Sequence, residues 1–108
     1  MNIIDYCTQG GKNLITDYID TLPPDERLRI YDIRFIIREK GLEAFQKLQT
    51  RPLRGKLWEI KITQTRIMYI IIDSDNVVFL HICKKQKNRA EKQELNKALQ
   101  RAKEGHYI

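Results

Sequence analysis

The chain is poor in the features that would assign it outright to several protein classes. Its 108 residues contain two cysteines, Cys7 and Cys83, too few for a disulfide-stapled scaffold. With only His81 and His106 beside them, they match no metal-ligand spacing, so no metal or other cofactor is expected. No apolar run approaches the roughly 18 residues needed to cross a bilayer. The first residues, Met1-Asn2-Ile3-Ile4-Asp5, lack the basic-then-apolar order of a secretory leader. The expectation is therefore a cytoplasmic protein with no membrane partner. Internal repeats and low-complexity segments are also absent.

What is present is an ordinary globular balance, with 42% apolar and 31% charged residues. That composition excludes a disordered chain. A length of 108 residues suits one domain, spanning 1–108, able to bury a core without staples. The net charge of +6 is unevenly spread. Residues 1–50 hold seven basic and eight acidic side chains, residues 51–75 five and three, and residues 76–108 eight and three. The positive charge thus gathers in the second half, the footprint of an acidic or phosphate-rich partner. A lysine face kept for solubility accounts for the composition equally well.

Read in order, Ile3–Cys7 is a short strand candidate, broken by Gly10-Gly11. Asn13 is placed to cap a helix from Leu14 to about Leu22. Pro23-Pro24 ends it, and Pro24 with Asp25 and Glu26 suits the first turn of a second helix reaching Lys40. On that helix Leu28, Tyr31, Phe35 and Ile36 form the expected inward stripe, widened by Ile30, Ile33 and Ile37. Gly41 fits the position after a helix end, and Leu42–Gln49 reads as one more short helical stretch. Arg51-Pro52 closes the helical half.

The centre of the chain is LWEIKITQTRIMYIIIDSDNVVFLHICKK, Leu57 to Lys85. Trp58, Ile60 and Ile62 alternate with Leu57, Glu59 and Lys61, the signature of a half-buried strand. Arg66–Asp73 and Val77–Cys83 are apolar on both faces apart from His81, with Ser74-Asp75-Asn76 as the turn between them. Asn88-Arg89-Ala90-Glu91 resembles a capping box that opens a last helix, running to about Glu104 with Leu95, Ala98, Leu99 and Ala102 as its apolar stripe. The order is β-α-α-β-β-β-α. It describes an α+β fold with a mainly antiparallel sheet, helices packed on one face and the other face partly open.

Four pieces in this order resemble the HigB-like branch of the RelE/ParE toxin superfamily. They are Leu57-Trp58-Glu59-Ile60 preceded by Arg51-Pro52-Leu53-Arg54-Gly55, then Arg66-Ile67-Met68-Tyr69, then Leu80-His81 with Lys84-Lys85, and finally the last helix with Glu94, Ala98 and Arg101. Asn88-Arg89 stands where members often carry Thr-Pro, and Lys56 interrupts a Gly-Leu-Trp run. The resemblance implies a RelE-like fold and a type II toxin. Such a toxin is a ribosome-dependent mRNA endonuclease, neutralised by a cognate helix-turn-helix, HigA-like antitoxin. Its alternatives are a ParE-like gyrase poison and a non-catalytic basic module that binds antitoxin and nucleic acid.

Cleavage by 2′-hydroxyl attack needs a held phosphate, an offset for its growing charge and a route for protons. Arg66, whose fork can take two phosphate oxygens, matches the family's strand arginine and is the first candidate. Lys85 and His81 complete the expected catalytic set, His81 as a proton shuttle or as a hydrogen-bonded structural histidine. Lys61, Lys84, Lys87 and Arg89 are expected to hold RNA, with Lys61, Arg66, Lys84 and Lys85 converging on one strand face. Glu59 is either a base or an ion-pair partner. Trp58 and Tyr69 are expected in the core.

Overall fold

The computed structural model describes Met1–Ile108. Its elements are β1 (Asn2–Asp5), α1 (Leu14–Asp20), α2 (Pro24–Lys40), α3 (Leu42–Phe45), β2 (Thr50–Arg54), β3 (Leu57–Ile62), β4 (Thr65–Asp73), β5 (Asn76–Lys84) and α4 (Asn88–Glu104). The strands form one sheet in the order β1-β5-β4-β3-β2. β1 runs parallel to β5 and every other pair is antiparallel. The α+β class and the three-stranded meander are as expected. No helix is long and apolar enough to cross a membrane.

The helices are not all on one face. Ile15, Ile19, Ile30, Ile37 and Ala44 from α1–α3 pack on Ile60, Ile62, Ile67, Tyr69 and Phe79. A second core lies on the opposite face, where Ala98 and Ala102 of α4 meet Met68, Ile70, Val78 and Leu80. The reason is in β4 and β5: Thr65–Ile70 and Val77–Cys83 are buried without a break. A strand apolar on both faces must be covered on both. The small Ala98 and Ala102 let α4 approach closely.

Four local expectations are also corrected. Thr50–Arg54 is a strand, which Pro52 conceals; it is the sheet edge, where a missing N–H is tolerated. Cys7 lies beyond β1 and is exposed. Asn88 does not cap α4, because Lys87 holds the cap position without a side-chain bond and Asn88 has φ 57°. Asn13 does cap α1, accepting from the Ile15 and Thr16 amides at 3.0 Å each. Trp58 is 38% exposed and lines an apolar cleft with Phe45, Tyr69 and Ile71, so it is not core.

Helix α2 faces inward differently from its apolar stripe. Leu28 and Phe35 are 62% and 60% exposed, while Ile30, Arg34 and Ile37 are buried. The inward Arg34 is held by Asp5 through two parallel bonds of 2.8 Å. Asp5 also accepts from Asn13 Nδ2 at 3.1 Å, so one carboxylate ties β1, the α1 cap and α2 together. Asp5→Ala leaves a buried guanidinium unpaired and is expected to cost about 3–5 kcal/mol in chemical denaturation. Ile37→Ala should cost about 2–5 kcal/mol, whereas Phe35→Ser should stay within about 0.5 kcal/mol. The reverse ranking would contradict this placement of α2.

Candidate anion-binding site

The α4-facing side of the sheet carries the polar groups. Register aligns Lys61, Arg66 and Cys83 in one row across β3, β4 and β5. Glu59, Met68 and His81 form the next row. A bulge follows that row: Met68 pairs with His81 but Tyr69 pairs with Phe79, so Leu80 is the extra residue. A bulge re-aims side chains, and here Leu80 and His81 both serve the α4 side.

His81 is buried and bound at both ring nitrogens. Arg101 Nη1 donates to Nδ1 at 3.0 Å, which makes Nδ1 the acceptor and leaves the proton on Nε2. Nε2 then donates to the Glu94 carboxylate. Burial lowers the His81 pKa; Glu94 opposes that shift, while Arg101 and Lys97 add to it. Arg101 also donates to the Leu80 carbonyl at 2.9 Å and stacks over the Tyr6 ring at 4.4 Å. The ring is thus a neutral link in a clamp that fastens α4 to β5.

Glu59 is 2% exposed and accepts from Arg51 Nε at 2.6 Å. The same Arg51 reaches Glu91 of α4 at 2.6 Å, so Glu59 is an ion-pair partner joining the edge strand to the helix. Beside it a cleft of about 210 Å³ opens between Leu53, Met68, Asn88 and Leu95. Cys83 is a buried thiol pushed up to about 12 by burial first and then by the Glu94 and Glu59 carboxylates. It is protonated at neutral pH and is no nucleophile.

Arg66 is the exception among these groups. It is 8% exposed, and its Nη1 donates to the carbonyls of Thr63 and Thr65 at 2.9 and 3.0 Å. Three other charged or titratable groups in the interior have partners: Arg34 with Asp5, Glu59 with Arg51, and His81 with Glu94. Arg66 has no carboxylate partner. Its Nε and Nη2 have no protein partner and are not enclosed, so they are open to an anion.

The expected convergence is partial. Lys61 shares Arg66's row. Lys84 follows Cys83 by one residue, so strand alternation turns it to the Ile82 side, away from Arg66. Lys85 stands at the same sheet end, its amide bonded to the Gln64 carbonyl at 2.7 Å. Lys87 and Arg89 are exposed at the start of α4. Glu94 and Arg101, which anchor the clamp, were named beforehand only as part of a pattern; their spacing of seven places them on one helix face. His81, Cys83 and Glu94 offer one nitrogen, one sulfur and one oxygen, all within 4.8 Å of one another. Spacing along the chain gave no hint of this, because Glu94 comes from a different element.

Fold and site together define a small basic α+β domain with a buried, counter-ion-free arginine beside a cationic sheet end. Residues 17–103 match the family described as "Phage derived protein Gp49-like (DUF891)", and the chain belongs to that family, a RelE/HigB-like toxin family of toxin–antitoxin systems. No curated protein matches the chain.

The lowered His81 pKa sets a pH dependence. The folded ring binds protons less readily than the unfolded one, so stability is full above the ordinary histidine value of about 6.5 and falls as pH drops below it. The melting temperature of the wild type should decline between pH 7 and pH 5, and His81→Gln should flatten that slope. Equal slopes would contradict the buried neutral ring.

Proposed function

We propose that this protein is a HigB-like type II toxin that cuts mRNA on the translating ribosome. The observation that carries the reading is Arg66, a buried guanidinium with no carboxylate partner. In the proposed reaction the 2′-hydroxyl gives its proton to solvent and attacks the adjacent phosphorus; the bond to the 5′-oxygen breaks, that oxygen leaves with a proton from solvent, and a 2′,3′-cyclic phosphate remains, a step whose chemistry needs no metal. Arg66 grips two phosphate oxygens and offsets charge as the phosphorane forms. Lys85 adds positive charge at the same sheet end, and Lys61, Lys84, Lys87 and Arg89 hold the RNA backbone and ribosomal RNA. His81 has both nitrogens engaged, and its role is to position α4 beside Arg66. Family membership supports a cognate antitoxin as partner, and we take it to be a HigA-like helix-turn-helix protein. The setting is the cytoplasm.

The test is induction in translating cells with transcript 5′-end mapping. Growth arrest with new ribosome-dependent 5′ ends, relieved by the antitoxin, is expected. Arg66→Ala should lower cleavage by about 10²–10³-fold, the scale for losing one stabilising donor of transition-state charge, while the fold stays intact. Intact transcripts with arrested supercoiling would replace this reading with gyrase poisoning. Undiminished arrest by Arg66→Ala without cleavage would leave a non-catalytic basic module.

A further inference from the structure

We infer that His81, Cys83 and Glu94 form a binding site for one zinc ion, separate from the RNA chemistry. The three donor atoms lie within 4.8 Å of one another. A tetrahedral ion bound at about 2.0–2.3 Å would set them roughly 3.3–3.8 Å apart, a small adjustment between one strand and one helix in which the hydrogen-bonded His81–Glu94 pair opens. His81 and Cys83 are 7% and 8% exposed, so the site excludes most solvent. Its donor set is selective: imidazole and thiolate favour zinc and its neighbours, while calcium and magnesium require oxygen shells.

The ion would take the place of protons. In the metal-free protein Glu94 accepts from His81 Nε2–H and lies beside the neutral Cys83 thiol. On binding, Cys83 releases its proton to solvent, and the His81 proton moves from Nε2 to Nδ1. Thiolate and carboxylate then balance the two positive charges, and water fills the fourth position. No oxidation or reduction is involved. The charged groups around the site divide. The Glu59 carboxylate lies near enough to Cys83 to favour the ion, while Arg66 beside Cys83 and Lys97 and Arg101 beside His81 oppose it.

Arg101 is the brake. Its Nη1 donates to Nδ1 at 3.0 Å, where a zinc-bound histidine must itself carry a proton and find an acceptor. Occupancy therefore requires Arg101 to withdraw to the Leu80 carbonyl, which it already holds at 2.9 Å. Replacing this donor by a group that can accept should tighten binding.

The test is a cobalt titration of the metal-stripped full chain, followed by zinc competition. One equivalent of cobalt should give a thiolate charge-transfer band, and excess zinc should abolish it and raise the melting temperature by about 5 °C or more. The band should survive Cys7→Ser and vanish in Cys83→Ser. Glu94→Gln, at a partly exposed position, should weaken binding by about tenfold or more and stands in if Cys83→Ser does not fold. Arg101→Gln should strengthen binding severalfold. Absence of the band, its persistence in Cys83→Ser, or its loss in Cys7→Ser would overturn the site. None of these readouts depends on RNA cleavage.

Discussion

The structure depends on one constraint: β4 and β5 are buried on both faces. Their uninterrupted apolar runs forbid an open sheet side, so a helix must close over Met68, Ile70, Val78 and Leu80. Helix α4 does this through two alanines, which bring its backbone close and carry Glu91, Glu94 and Arg101 down onto the sheet. His81, in phase with Cys83 on β5, meets them, and the bulge puts Leu80 on the same side. The polar site is thus a product of the packing. Without the second covered face, Arg66 and His81 would be surface side chains with little energetic meaning.

Burial also turns charge into an argument about function. In this interior a charged group needs a partner, and Asp5–Arg34, Glu59–Arg51 and Glu94–His81 supply them. Arg34 and Arg66 show the contrast most directly, since both are buried arginines and only Arg34 meets a carboxylate. The first is held by the Asp5 carboxylate that ties β1, the α1 cap and α2 together. The second is left with two backbone carbonyls and unspent donors, on the same row as Lys61. Under the proposed function, those donors are the ones that take the phosphodiester, whose paired oxygens an arginine fork matches.

The sequence was legible where periodicity and burial agree. The meander, the Asn13 cap, the Pro24 start of α2 and the Ala98–Ala102 stripe of α4 could all be read from residue order. It misled where a side chain's partner is distant. Nothing near Arg34 in the sequence announces Asp5, so apolar periodicity points to Leu28 and Phe35 as the inward face of α2 instead. Pro52 hid an edge strand because the residue forbids only central pairing. Arg66 stood out through its match to the family's strand arginine, and the expected convergence with Lys61 holds, whereas Lys84 is out of phase with Cys83 and faces away. His81 could not be resolved between structural and catalytic roles, since its partners Glu94 and Arg101 lie 13 and 20 residues away.

The central claim is that Arg66 is kept without a counter-ion in order to receive a phosphate. Side-chain NMR of the arginine Nε–H groups, with a short RNA carrying 2′-methoxy groups added so that it cannot be cut, tests this directly. The Arg66 signal is expected to shift and saturate while the Arg34 signal, locked on Asp5, stays in place. An Arg66 signal that does not move while the protein binds the RNA elsewhere would contradict the account.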